Sequence, residues 1–466
     1  MKLFKSITIT LISILLISIS VILITMGIIP INYILIGITI GIIISIGLIL
    51  LINKFNKLWI KILSIIFILI EIILIIIALY ISSKTGSIID KLTNTKYQTI
   101  GYSVLVRKTD SDNLLDYKYK EISITEDETY SKEIKKELDN KFKGSIKIDA
   151  DVLSMLDNLL KDKTDIIVIR STHLELLEEA KAAALDDAKV LFTFAIKVLS
   201  KDIKKPANIK LEPFIVLFSG IDTAGPINTV SRSDVNIIMA VNPITYEIVL
   251  VHIPRDYYVT FNGQGTKDKL THSGIYGIDM TVKTIEDLMD IDINYYSRIN
   301  FSTFTNLVDL VGDISLYNPT AFSNWGTQFD QGYITLNSAE ALTYSRARKM
   351  LKGGDKDRGK NQQRVIEAII ENNSNINSIN KLSDVFEIMG NSFITNLSSD
   401  DIRGLINFEL NYLPKWQITS YNLNGTDLMT KGTPFYPNQK LFVLVPDTKT
   451  IDTAKNMILE VISNKE

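Results

Sequence analysis

Phe214-Ile-Val-Leu-Phe-Ser-Gly-Ile-Asp222 and, shortly after it, Ser231-Arg-Ser-Asp-Val-Asn-Ile-Ile-Met-Ala-Val-Asn-Pro243 decide how this chain folds. Each holds an almost unbroken apolar run rich in β-branched residues, the pattern of a strand covered on both faces. A third such run, Ile248–Ile253, follows at once. The periodicity predicts helices at Asp279–Met289, Ser302–Val311, Ser338–Lys349 and Asn361–Glu371. Val365, Ile366, Ile369 and Ile370 share one face of the last. Strands are predicted at Gln417–Leu423 and Lys440–Val445, with a helix at Thr450–Ile462. Buried strands alternating with amphipathic helices predict an α/β domain over 213–466.

Upstream, the polar stretch 201–212 reads as a linker ending at Pro213. Residues 84–200 read as a smaller α/β domain, with strands at Tyr97–Val106 and Asp165–Ile169. Helical patterns are predicted there at Thr129–Phe142, Val152–Leu160, Leu174–Ala183 and Ala188–Leu199. No cluster of polar residues marks a site in it, so it reads as an accessory domain.

Residues 1–83 are of another kind. From Ser6 to Asn53 there is no charged residue, a run of 48 positions. As one helix it would measure about 72 Å, more than twice the hydrocarbon thickness of a bilayer, so it predicts two spans broken near Pro30. A third apolar run, Ile62–Ile81, is bordered by Trp59 and Tyr80. The expected spans are about 6–29, 31–52 and 60–81. Lys2 and Lys5 precede the first, Lys54, Lys57 and Lys61 separate the second from the third, and the Pro30 turn is uncharged. The bias of basic residues toward the cytoplasm then predicts a cytoplasmic N-terminus and an extracellular body. Glu71, within the third span, is expected to face the bundle.

The 50 basic and 52 acidic side chains hide this division. Five Lys and one Glu give the anchor +4, so the remaining 383 residues carry −6. Such a body is no bulk-charge nucleic-acid binder. The absence of cysteine excludes thiolate nucleophiles, disulfide frameworks and zinc–cysteine sites.

Arginine carries the functional signal. The chain has ten Arg, and six fall in short motifs of one domain: Arg232, Arg255, Arg346, Arg348, Arg358 and Arg364. A guanidinium fork matches phosphate oxygens two at a time, as lysine cannot, so a Lys-rich chain that clusters Arg points to an anion site. Arg232 precedes one predicted strand and Arg255 follows another, positions where open α/β sheets bind ligands. Asp222 and Asp234 lie on neighbouring loops, either to hold a divalent cation with substrate phosphate or to cap turns. His173, His252 and His272 are too dispersed for a zinc motif, and His252 reads as a core residue.

In this order, LFSGID, SRSDVNIIMAVNP, VHIPRD, KLTHSGIYG, INFSTFTNLVDLVGD, YSRARK and GGDKDRGKNQQRV resemble the LytR–CpsA–Psr family of bacterial cell-envelope enzymes, over residues 213–370. The resemblance implies a mixed-sheet α/β/α catalytic domain behind three transmembrane helices and the accessory domain. It implies a phosphotransferase that moves a glycopolymer, teichoic-acid-like or capsular, from undecaprenyl pyrophosphate to a peptidoglycan hydroxyl. Asp222 and Asp234 match the family's magnesium-associated aspartates, with manganese an alternative. Arg232, Arg255, Lys269, Arg346, Arg348, Asp355, Arg358 and Gln362 match its pyrophosphate surroundings, with Asp234, Arg232 and Arg255 carrying catalysis. The departures are Thr271 for the usual Asn, a single Gly277 for paired glycines, His252 for a small residue, and Asn361 for a further arginine. The same residues also suit a polyprenyl-phosphate sensor or a lipid pyrophosphatase.

Overall fold

A computed structural model describes residues 2–463, apart from 56, 94–95, 126–129, 140, 180–182, 222–227, 374–392 and 435–439. Three helices come first: α1 (Lys2–Met26), α2 (Ile31–Lys54) and α3 (Leu58–Leu92). Each contains a stretch long and apolar enough to cross a membrane. Glu71 is buried in this bundle. Helix α3 runs through to Leu92, well past the predicted span, and Ile89 of this extension is buried against the α/β body.

The first α/β unit has β1 (Tyr97–Arg107), β2 (Ile122–Thr125), α4 (Ser131–Leu138), β3 (Ile146–Asp149), α5 (Val152–Leu160), β4 (Ile166–Arg170), α6 (Ser171–Glu179) and β5 (Ala188–Leu199). Its sheet order is β3-β2-β4-β1-β5. The helices predicted at Thr129–Phe142 and Leu174–Ala183 appear as α4 and α6, with Thr129 and residues 180–182 outside the described residues. Ala188–Leu199, expected to be helical, is a twelve-residue strand paired with β1 along its length. Val190, Phe192, Phe194, Ile196 and Val198 recur at every second position, and this β-branched and aromatic alternation outweighs the Ala, Leu and Lys that favour helix.

The larger unit contains β6 (Phe214–Gly220), β7 (Val235–Asn242), β8 (Glu247–His252), β9 (Tyr258–Thr260), β10 (Lys267–Lys269), α7 (Leu270–Ser273), α8 (Ile278–Met289), β11 (Tyr295–Ile299) and α9 (Phe301–Val311). It continues with β12 (Ile314–Asn318), β13 (Phe322–Asn324), β14 (Thr327–Phe329), β15 (Gly332–Leu336), α10 (Ser338–Arg346), α11 (Asp355–Asn373) and β16 (Phe393–Thr395). The last elements are α12 (Ser399–Tyr412), β17 (Gln417–Asn422), β18 (Gly425–Thr430), β19 (Leu441–Pro446) and α13 (Thr448–Ser463). The central sheet has the order β16-β11-β6-β7-β8-β17. It is mixed: β11 is parallel to β6 and β17 to β8, while β7 runs antiparallel to both its neighbours.

Both faces of this sheet are covered, which is why its strands read as continuous apolar runs. Ile215, Leu217, Ile238 and Val249 pack under α8 and α13, with Ile285, Ile451 and Ile458. Phe214, Val216, Ile237 and Leu250 face the other way, into a core shared with Ile402 of α12. Two anchor residues, Ile28 between α1 and α2 and Ile89 of α3, are buried in that second core. Asn407 of α12 also donates to the Ile28 carbonyl at 3.4 Å. The α1–α2 turn therefore docks on the α/β body, whereas the Lys-bearing α2–α3 connection lies at the opposite end of α2.

Candidate functional site

In the β7–β8 pair Ile237 lies opposite His252, so the turn entering β7 and the turn leaving β8 emerge at one edge of the sheet. This brings the Ser231–Asp234 turn beside Arg255, whose Nη1 donates to Asp234 Oδ1 at 2.8 Å. Thr271 Oγ1 donates to the same oxygen at 2.9 Å. The turn is pinned from behind. The Asp234 N–H donates to the Gly220 carbonyl at 2.8 Å and the Ser233 N–H to the Thr271 carbonyl at 3.0 Å. Arg298, buried on β11, donates Nη2 to the Ser231 carbonyl at 3.2 Å, and burial pushes its guanidinium down to about 10. The smaller sheet holds the approach to this turn: the Thr99 N–H donates to the Asn228 carbonyl at 2.9 Å, and the Val230 N–H to the Thr99 carbonyl at 2.8 Å.

A second wall comes from the chain after α10. The helix ends at Arg346 because Ala347 is extended (φ −59°, ψ 127°), which turns Arg348 toward the site. Asp355, at the start of α11, spaces three guanidinium groups: its Oδ1 lies 2.7 Å from Arg358 Nη2, 3.5 Å from Arg348 Nε and 3.7 Å from Arg255 Nε. Asp256, only 4% exposed, pairs with Lys269 Nζ at 2.9 Å and lies 3.6 Å from Arg348 Nη2.

Between these walls is a cavity of about 220 Å³ lined by Arg232, Asp234, Arg255, Asp256, Lys269, Thr271, His272, Arg348 and Phe442. Among the described residues four lining cations face two lining carboxylates, a surplus suited to an anion. Burial pushes Asp234 up, but Arg255 and Arg232 hold it below the usual carboxylate range. Burial likewise raises Asp256, and Lys269 pulls it below. Burial alone would lower Arg255, yet Asp234, Asp256 and Asp355 keep it above its ordinary value. Nε of Arg255 and Nε of Arg358 are buried with no hydrogen-bond partner among the described residues, and Arg255 Nε stands 3.7 Å from Asp355 Oδ1 behind the cavity.

Of the residues expected here, Arg232, Asp234, Arg255, Lys269 and Arg348 line the cavity, and Asp355 and Arg358 stand directly behind them. Two are placed elsewhere. Arg346, the last residue of α10, lies over the Trp325 ring, 4.7 Å from its centroid, while Arg348, past Ala347, lines the cavity. Gln362 is a full turn along α11 from Arg358 and donates to the Ser345 carbonyl at 3.4 Å. Asp222 lies outside the described residues, and among those described no three His, Cys, Asp or Glu side chains gather to hold a metal ion.

Residues 180–449, more than half of the chain, match the LytR_cpsA_psr family. The chain belongs to that family. Among its relatives is the polyisoprenyl-teichoic acid–peptidoglycan teichoic acid transferase TagU of Bacillus subtilis, 38% identical over 240 residues, which are 51% of this chain and 77% of that protein. TagU of Enterococcus faecalis is 35% identical over 228 residues, 48% of this chain and 74% of the relative. The crystal structure of B. subtilis TagU superposes with a TM-score of 0.43 at 34% identity, covering 55% of this chain and 99% of that one. The structure of TagT bound to LI-WTA gives 0.45 at 27%, over 56% and 95% of the two chains.

Within the LytR_cpsA_psr fold the departures have structural places. Thr271 holds Asp234 with its hydroxyl. Asn361 accepts from Arg364 Nη1 at 2.8 Å, so Arg364 is tied to its own helix and does not replace a cavity arginine. His252 lies under α11, where a Cβ on Gly359 would come within 2.3 Å of its ring. Sequence reasoning missed Asp256, Thr271, His272 and Phe442 as cavity residues. His272 Nδ1 is 2.9 Å from Asp268 Oδ2, an i, i+4 pair visible in the sequence as DKLTH.

Burial, with Arg358 nearby, pushes His252 down to about 3, and burial with Arg170 nearby does the same to His173. An unfolded histidine takes its proton near pH 6.5, so as pH falls below that value the unfolded chain gains protons the folded chain refuses. Stability present above pH 6.5 is therefore lost on acidification, by about 2 kcal/mol per histidine at pH 5. The apparent melting temperature of the full-length protein is expected to fall between pH 7.5 and pH 5. His252→Asn should lose about half of that fall, leaving the part due to His173. A fall as large in the variant as in the parent contradicts this assignment.

Proposed function

We propose that this protein transfers a glycopolymer from an undecaprenyl pyrophosphate carrier to a hydroxyl of peptidoglycan, leaving a phosphodiester. The observation that carries this reading is the cavity, where among the described residues four lining cations stand against two carboxylates. Such a site matches a pyrophosphate, and teichoic acid transferases are among the relatives. The anchor supports a substrate with a lipid tail, because its α1–α2 turn is packed against the body that carries the cavity. With the Lys-bearing connection at the far end, the positive-inside bias puts that turn and the body outside the cell.

In the proposed reaction the acceptor oxygen forms a bond to the phosphorus nearest the polymer. The bond from that phosphorus to the bridging oxygen breaks, and polyprenyl phosphate leaves. Phosphoryl transfer asks mainly for positioning and charge stabilisation. Arg232, Arg255 and Arg348 bind the pyrophosphate oxygens, Arg358 orients them through Asp355, and Lys269 completes the cationic wall. Two cavity groups can take the hydroxyl proton. Asp234 is held acidic by its arginines, which weakens it as a base. The imidazole of His272, oriented by Asp268, lines the same cavity. Magnesium, or manganese, belongs to the proposal through Asp234 and Asp222, since magnesium takes one or two carboxylates together with substrate phosphates. When bound, it would neutralise charge on the pyrophosphate.

Mass analysis of lipid co-purifying with the detergent-solubilised protein should recover a polyprenyl phosphate or pyrophosphate. Supplied with lipid-linked polymer and peptidoglycan, the protein should yield polymer bound to the glycan. Binding of the lipid with no such product leaves a sensor, and release of phosphate in place of ligation leaves a pyrophosphatase.

A further inference from the structure

Trp325 is 66% exposed at the tip of the β13–β14 hairpin. Asn324 pairs with Thr327, so Trp325 and Gly326 form a two-residue loop in which both have positive φ, 46° and 82°. Such loops ordinarily take Asn-Gly or Asp-Gly, and a bulky side chain in the left-handed region is uncommon. Strain of this kind, where the surrounding structure holds it, points to a use for the side chain.

The surroundings hold it firmly. Asn324 is buried and donates Nδ2 to the Thr343 carbonyl at 2.8 Å, tying the hairpin to α10. Beneath it Phe322, Phe329 and Tyr344 form a packed trio with ring centroids 5.0 to 5.4 Å apart. Arg346, the last residue of α10, lies 4.7 Å from the centroid of the indole. One extended residue later, Arg348 lines the cavity. Arg346 and Arg348 are two residues apart in the chain, so the residue against the indole and a residue lining the anion site leave the same end of α10.

We propose that Trp325 is a stacking platform for a pyranose ring beside the cavity, a further subsite that rests on the transferase reading above. The guanidinium of Arg346 covers part of the indole, and the open part offers a rigid aromatic face to the C–H groups of a sugar. The sugar has two sources with the same chemistry: the unit of the donor next to its pyrophosphate, or the acceptor glycan.

The test uses the full-length protein in detergent, with Trp325→Ala and the conservative Trp325→Tyr. Calorimetric affinities are measured for undecaprenyl pyrophosphate, for the same lipid carrying one N-acetylglucosamine, and for soluble peptidoglycan glycan strands. The parent is expected to prefer the sugar-bearing lipid by about three- to tenfold. Trp325→Ala should erase that preference without changing affinity for the bare lipid, and Trp325→Tyr should keep most of it. If the loss appears on the glycan strands and the lipid preference persists, the platform stands and its sugar is the acceptor's. No loss on either sugar-bearing probe overturns the platform. So does a loss confined to sugar-free phosphatidylglycerol vesicles, which makes Trp325 a membrane contact. If the bare lipid fails to bind the parent, the transferase reading fails, and the glycan-strand comparison still decides the platform.

Discussion

Arg255→Ala is expected to lower transfer from the lipid pyrophosphate by about 10³-fold or more, the scale on which a single arginine acts in phosphoryl transfer. Arg255 sits between Asp234 and Asp355 and keeps a buried Nε donor with no hydrogen-bond partner among the described residues. Its loss removes a guanidinium that lines the cavity and also the cation that holds Asp234 acidic. Part of the effect is structural, since unpairing a buried carboxylate costs about 3 kcal/mol. Arg255→Lys separates the two. Lysine keeps the charge beside Asp234, so the melting temperature should recover most of the loss. It lacks the fork, so transfer should stay below about a tenth of the parent. The measurement is product formation alongside circular dichroism and thermal melting of both variants. A folded Arg255→Ala protein with activity within tenfold of the parent would sink the proposed mechanism.

How much of this was readable beforehand follows from the range of the interactions concerned. The strands of the large sheet were legible because both their faces are covered, and continuous apolar runs such as Ile248–Ile253 record that burial locally. In Ala188–Leu199 the local signals conflict, alternating Val190, Phe192, Phe194, Ile196 and Val198 against helix-favouring Ala, Leu and Lys, and pairing with β1, more than eighty residues earlier, decides for strand. In the site, the choice of Arg over Lys was a local signal, and it located Arg232, Arg255 and Arg348, three of the nine cavity-lining residues among those described. Arg346 and Arg348 looked equivalent in sequence. Arg346 still belongs to α10 and goes to Trp325, whereas Arg348 lies past the helix end and goes to the cavity. Asp256 stands next to Arg255 in the IPRD motif, but its role depends on Lys269 arriving from β10. Thr271 and His272 enter through contact between two loops that the sequence separates by about forty residues.

That loop contact yields the second large expected effect, at Gly274. Its backbone is right-handed helical (φ −62°, ψ −25°), a conformation alanine adopts freely. A Cβ there would lie 2.5 Å from the Ser231 carbonyl oxygen, 2.6 Å from the Ser233 nitrogen and 2.9 Å from the Arg232 carbonyl carbon. All three are backbone atoms of the turn that aims Arg232 and Asp234, so no side-chain rotation can relieve the clash. Nor can the Gly274 side retreat easily, because the adjoining Ile275 is buried in the core of the smaller sheet, with Leu105, Ile167 and Leu176. The turn itself is held by Thr99 of β1 on one side and by Gly220 on the other. Gly274→Ala is therefore expected to shift the Arg232 turn by the better part of an ångström. A displacement of that size at a reacting centre costs about 10²-fold in rate, whereas overpacking costs about 1–3 kcal/mol of stability. The loss should appear mainly in kcat at saturating lipid-linked substrate, with circular dichroism close to that of the parent. Full activity in Gly274→Ala would show that the two loops give way without moving Arg232, and that the smaller domain does not set the geometry of the cavity.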